Sequence, residues 1–85
     1  MVRTEQTLKD PAGLHARLAV SLAECAKRFE SALTIRFKGI EARADDVLQL
    51  MQIDANEEDV LLLSAEGPDE QAALEALSGT LASSC

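Results

Sequence analysis

Hydrophobic and polar positions change period several times along this chain, and each change marks an element. Val2 to Leu8 alternates loosely and carries two threonines, which predicts a strand. Lys9-Asp10-Pro11-Ala12-Gly13 is a breaker cluster. Ala16 to Arg28 then follows a helical period. Ala19, Leu22, Ala23 and Ala26 share one face there, and Ser21, Glu24 and Arg28 lie outward. From Ala32 to Phe37 the period returns to two: Leu33, Ile35 and Phe37 alternate with Thr34, Arg36 and Lys38, the pattern of a half-buried strand. Lys38-Gly39 predicts a tight turn, with Ile40, Ala42 and Ala44 returning as the hairpin partner.

The second half reads in the same way. Asp45-Asp46 is placed to cap a short helix through Val47, Leu48, Leu50 and Met51. Asp54 to Asp59 is an acidic loop, and Val60 to Ala65 is a continuous apolar run, expected of a central strand. Gly67-Pro68-Asp69 opens a last helix from about Asp69 to Leu81. Ala73, Leu74, Leu77 and Leu81 are expected to face inward there, and Glu70, Gln71 and Glu75 outward. The order is βαββαβα. Two helices of ordinary length and one short one cover a single face of four strands. The expected architecture is therefore one domain over residues 1–85, an α+β open-faced β-sandwich with a mostly antiparallel sheet. Thr34, Arg36 and Lys38 suit its solvated second face.

Composition narrows the chemistry. The 85 residues are 47% hydrophobic, enough for a core, but Phe29 and Phe37 are the only aromatics, so stacking on bases or sugars is a poor fit. Fifteen acidic residues against eight basic give a net charge of -7, which lacks the footprint for nucleic acid or an anionic membrane. Proteins or small molecules are the expected partners, and any anion site must be built locally against the overall field. Met1 to Gln6 has no apolar signal-peptide core, and no apolar stretch approaches the roughly 20 residues of a membrane span. Cys25 and Cys85 fall outside any CxxC or metal-ligand spacing. Cys25 is expected to be a small packed residue and Cys85 to fray. A reducing, cytoplasmic setting is expected.

One place has the makings of a reaction. The only histidine, His15, stands in Pro11-Ala12-Gly13-Leu14-His15-Ala16-Arg17, where a Gly-containing loop meets a helix start. The first amides of a helix lack internal partners and carry the positive end of its dipole, so they attract anions. That end also favours a neutral, nucleophilic imidazole over the charged form. Arg17 adds a guanidinium able to hold phosphate oxygens in pairs. Such a place can accept a phosphoryl group on histidine. The plainer reading is a solvated surface histidine. No GxSxG accompanies it to suggest a triad, and one histidine without paired cysteines does not make a zinc site, so no metal or cofactor is expected.

Gly13-Leu14-His15-Ala16-Arg17 followed by an Ala-rich helix resembles the phosphorylation-site motif of the HPr family. These are the histidine-containing phosphocarriers of the bacterial phosphoenolpyruvate:sugar phosphotransferase system. Lys38-Gly39, Ala42-Arg43-Ala44, Leu50 and the run from Leu63 to Ala72 resemble the family in order and spacing, over essentially the whole chain. The resemblance implies a phosphoryl relay from phospho-enzyme I to enzyme IIA domains for sugar uptake, not a stand-alone enzyme. It implies Nδ1 of His15 as acceptor and Arg17 as phosphate clamp, with the amides of Ala16, Arg17 and Leu18 completing the cradle. It places a regulatory serine of some members at Asp46, which has no hydroxyl to phosphorylate. Read on its own chemistry, Asp46 is an N-cap and at best a weak mimic of phosphoserine. Val47, Leu48 and Met51 would form the docking patch, with Lys27 meeting acidic rims and Leu50 in the core.

Two positions depart from the family. Leu18 stands where it usually has proline, which is expected to loosen the loop–helix junction or to add an amide donor. Ala12 stands where many members have a polar residue, so one supporting hydrogen bond is expected to be lost. A monomer is expected. The alternatives are a nitrogen-type or regulatory paralogue with other partners, or a non-catalytic α+β binding module.

Overall fold

The computed structural model describes residues 1–82. They form β1 (Val2–Thr7), α1 (Ala16–Ala26), β2 (Ala32–Phe37), β3 (Ile40–Arg43), α2 (Val47–Leu50), β4 (Val60–Glu66) and α3 (Glu70–Ala82). The strands make one sheet in the order β1-β4-β2-β3, antiparallel at every step. The βαββαβα order read from the pattern is thus the observed one. Cys85 lies outside the described residues.

The register explains which side chains enter the core. Thr4 pairs with Leu63, which pairs on its other side with Ile35. Leu61, Leu63 and Ala65 of β4 join Leu33 and Ile35 of β2 beneath the helices, while Leu62 and Ser64 point the other way and stay part-exposed. The apolar run of β4 is therefore central in the sheet but buried on one face only. On the open face Thr34 and Ser64 join their hydroxyls across the strands. The helices close the core from the other side. Leu18, Ala19, Leu22, Ala23, Cys25 and Ala26 of α1 are buried, as are Ala73, Leu74, Leu77 and Leu81 of α3. Each fully buried leucine of this set stabilises the fold by about 1.5–3 kcal/mol.

Some expectations need correcting in detail. Helix α1 stops at Ala26, with Lys27 as its C-cap. Lys38 is not on the strand face. It occupies the β2–β3 turn with φ 50°, followed by Gly39 at 82°, the pair of left-handed residues that a two-residue hairpin demands. Its ammonium lies 5.2 Å from the centre of the Phe37 ring, which is itself only half-buried. Glu70 does not simply face water. It accepts the Gly67 amide at 3.2 Å and pairs with the Met1 ammonium at 3.3 Å, and these hold its carboxyl below the ordinary 4.5.

One fastening joins the two halves. Asp69, just ahead of α3, accepts the amides of Ser31 at 2.9 Å and Glu30 at 3.1 Å, and the Ser31 hydroxyl. The Ser31 hydroxyl, then the Glu30 amide, hold the Asp69 carboxyl below its ordinary 3.8. Among the described residues no helix is long and apolar enough to cross a membrane.

Candidate functional site

The loop between β1 and α1 is held from behind by the acidic segment that follows α2. Leu8 and that segment exchange two backbone bonds: the Leu8 amide donates to the Asp59 carbonyl and the Glu58 amide to the Leu8 carbonyl, each at 2.8 Å. Further along, the Leu14 amide donates to the Ala55 carbonyl at 3.0 Å. Gly13 lies against this brace with φ +73°, and a Cβ there would stand 2.6 Å from the Ala55 carbonyl oxygen. Only glycine lets the loop come this close. The acidic loop, which the sequence reading left without a task, thus fixes the position of His15.

His15 is the N-cap of α1 in extended conformation, and its side chain makes no capping bond. The first helical bond runs from the Ala19 amide to the His15 carbonyl at 2.9 Å, so the amides of Ala16, Arg17 and Leu18 have no partner inside the helix. Arg17, two residues after His15, is exposed. Leu18 is buried at 7% exposure and belongs to the core. The junction is anchored by this leucine rather than loosened. Unlike proline, Leu18 also brings an N–H to the helix end.

The ring is not alone. Asp10 Oδ2 lies 3.0 Å from His15 Nε2, and Asp10 Oδ1 accepts the Ala12 amide at 2.9 Å. The side chains of His15 and Asp10 are 30% and 16% exposed. The His15 ring, then the Ala12 amide, hold the Asp10 carboxyl below its ordinary 3.8. Sequence reasoning treated Asp10 as part of a breaker cluster and missed it. The signal was present: an aspartate followed by proline commonly turns its carboxylate onto the amide two residues on, which aims the other oxygen along the loop. The hydrogen bond expected to be lost at Ala12 thus has a counterpart in Asp10.

The remaining candidates divide. Asp46 caps α2, its Oδ1 accepting the amides of Leu48 at 3.0 Å and Gln49 at 3.2 Å, as the N-cap reading required. Asp45 instead pairs with Arg43 at 2.9 Å. Of the apolar patch, Leu48 is 79% exposed and Met51 44%, whereas Val47 is half-buried and packs on the core, and Leu50 is fully buried. Helix α2 packs against α1, so this patch adjoins the histidine-bearing helix. Val20, one turn beyond Arg17 and 44% exposed, adds an apolar side chain to the outer face of α1. Its i+3 spacing from Arg17 was the available clue. Lys27 is exposed but stands at the far end of α1, about 18 Å from His15 at 1.5 Å per residue. Among the described residues no three metal-binding side chains gather.

Fold and site define a small open-faced sandwich with one histidine at the N-cap position of its first helix. The family model described as "PTS HPr component phosphorylation site" matches residues 2–83. "Phosphocarrier protein HPr" of Mycoplasma pneumoniae is 34% identical over 82 residues, covering 95% of this chain and 93% of that protein. "Phosphocarrier protein NPr" of Proteus mirabilis is also 34% identical, over 71 residues, covering 82% and 79%. The crystal structure of HPr-C-His from Thermoanaerobacter tengcongensis superposes with a TM-score of 0.91 at 29% identity, covering 96% of this chain and 92% of that one. The chain belongs to the HPr family of phosphocarriers of the phosphotransferase system.

Proposed function

We propose that this chain is a cytoplasmic phosphoryl relay of the sugar branch, a single domain that accepts a phosphoryl group from phospho-enzyme I on Nδ1 of His15 and passes it to enzyme IIA domains. The observation that carries this reading is His15 itself. Its ring stands at the unpartnered amide end of α1, with Nε2 engaged by Asp10 and Nδ1 without a hydrogen-bond partner among the described residues. In the transfer, the Nδ1 lone pair attacks phosphorus as the bond from phosphorus to enzyme I breaks. The amides of Ala16, Arg17 and Leu18 and the Arg17 guanidinium hold the phosphoryl oxygens. Passing the group on reverses these steps. In this reading the chain relays the group and its partners supply the rest of the machinery. All of these groups lie within one chain, so the relay needs no second copy.

Leu48 and Met51, with Val20 beside Arg17, form the docking face in this reading. A polar-rimmed apolar surface containing a flexible methionine suits successive partners. Val47 supports the patch from below, and Lys27, remote from the ring, serves at most its outer rim. Asp46 acts as a helix cap and not as a switch.

The test is intact-mass spectrometry after incubation with phosphoenolpyruvate, Mg²⁺ and enzyme I, with His15→Ala alongside. One acid-labile phosphoryl group on the native chain alone is the expected result, and an unlabelled native chain beside a labelled HPr control overturns the reading. A second reading, the nitrogen branch, is favoured by the NPr match at equal identity, though over a shorter stretch. Offering the phosphorylated chain to sugar-type and nitrogen-type enzyme IIA domains separates the two.

A further inference from the structure

Asp10 divides its carboxylate between two tasks. Oδ1 is held by the Ala12 amide at 2.9 Å, two residues on, and this fixes the plane of the group. Oδ2 is thereby aimed at His15 Nε2, 3.0 Å away. We propose that Asp10 is the positioning residue of the relay: its carboxylate fixes the His15 ring with the proton on Nε2 and so commits Nδ1 to receive the phosphoryl group. The proposal rests on His15 being the acceptor.

An ionised carboxylate only accepts hydrogen bonds, so the ring atom facing Oδ2 must be an N–H. A neutral imidazole has one N–H, and placing it on Nε2 leaves the lone pair on Nδ1. That lone pair is not spent on the helix, because the His15 side chain caps no amide of α1. Asp10 is mostly covered, so water competes weakly for the bond. The arrangement also serves the transfer. Nδ1 gives its electron pair to phosphorus, the donor's bond to phosphorus breaks with its pair, and Nε2 keeps its hydrogen. The ring gains a positive charge opposite the Asp10 carboxylate, and no proton has to leave. When the group moves on, the pair returns to Nδ1 and the ring is again neutral with Nε2–H.

The decisive variant is Asp10→Asn. Its Oδ1 can still accept the Ala12 amide, which turns the side-chain NH₂ toward Nε2. An NH₂ donates, so Nε2 must accept and the proton moves to Nδ1. The measurement is the long-range ¹H–¹⁵N spectrum of the ring in mildly alkaline solution, taken beside the rate of phosphoryl uptake from enzyme I. The native chain is expected to show Nε2–H. In Asp10→Asn the Nδ1–H form should rise severalfold, and kcat for uptake should fall by about tenfold, the scale of losing a partner that orients a functional histidine, with KM for the chain little changed. A predominantly Nδ1–H ring in the native chain overturns the proposal without any variant. An unshifted tautomer or an unchanged rate in a folded Asp10→Asn chain also overturns it. If enzyme I labels no version of the chain, the acceptor reading falls by itself, while the spectrum still reads the effect of Asp10 on the ring.

Discussion

Two loop aspartates in this molecule carry out the same local manoeuvre for different ends. Asp69 places both carboxylate oxygens on the Glu30–Ser31 segment, as acceptors of two amides and a hydroxyl, and so joins the α1–β2 loop to the start of α3. Asp10 gives one oxygen to its own loop, at the Ala12 amide, and holds the other against His15. Both carboxyls are held below their ordinary value, Asp69 first by the Ser31 hydroxyl and Asp10 first by the His15 ring. A carboxylate whose oxygens both end on neighbouring chain is a fastening. Asp10, which keeps an oxygen for the His15 ring, is free to serve the proposed relay.

The sharpest way to break this contrast is to disturb the loop that carries Asp10 and His15 without touching either. Gly13→Ala puts a Cβ into left-handed backbone and 2.6 Å from the Ala55 carbonyl oxygen. It should destabilise the chain by about 1–3 kcal/mol in urea unfolding, the usual cost of such backbone strain, and slow phosphoryl uptake as well. Next comes a crossed pair. Asp69→Ala should lower Tm by several degrees and leave uptake by the folded chain near the native rate. Asp10→Ala should lower Tm less than Asp69→Ala does and should slow uptake. If both variants lose stability alike, the division of labour fails.

The pH dependence follows from the same bonds. A carboxyl held below its ordinary value binds fewer protons folded than unfolded, so its stabilisation is complete above the unfolded value and is lost as pH falls through the folded one. The contributions of Asp10 and Asp69 to Tm should be full above their ordinary 3.8 and should be lost below it. In Asp69→Ala that acid-side drop should be shallower. A small effect is expected at the start of the short helix α2. Asp46→Ala should cost about 1 kcal/mol through its lost cap, and Asp46→Ser a few tenths at most, because serine caps nearly as well.

Most of the fold was readable because each element obeys its own period. The inward face of α3 matches the expected four residues, and the hairpin turn stands where Lys38-Gly39 foretold it. What escaped the pattern depended on contacts between distant segments. Glu70 has the spacing of an outward residue, yet the Met1 ammonium and Gly67 amide meet it there. β4 reads as apolar from Val60 to Leu63, and only the one-sided layering of helices decides that Leu62 stays part-exposed. In the site, His15 and Arg17 stood out through residue type and place at a helix start. Asp10 did not, because its task depends on where the loop turns. That turn is set by Gly13 and Ala55, more than forty residues apart in sequence.

In the proposed relay the phosphoryl group rides on Nδ1 of His15 while Nε2 keeps its proton. ³¹P–¹⁵N correlation on the phosphorylated, histidine-labelled chain tests it directly. Phosphorus coupled to Nδ1 and a bonded hydrogen on Nε2 are expected. Phosphorus coupled to Nε2, or to no ring nitrogen of His15, would contradict it.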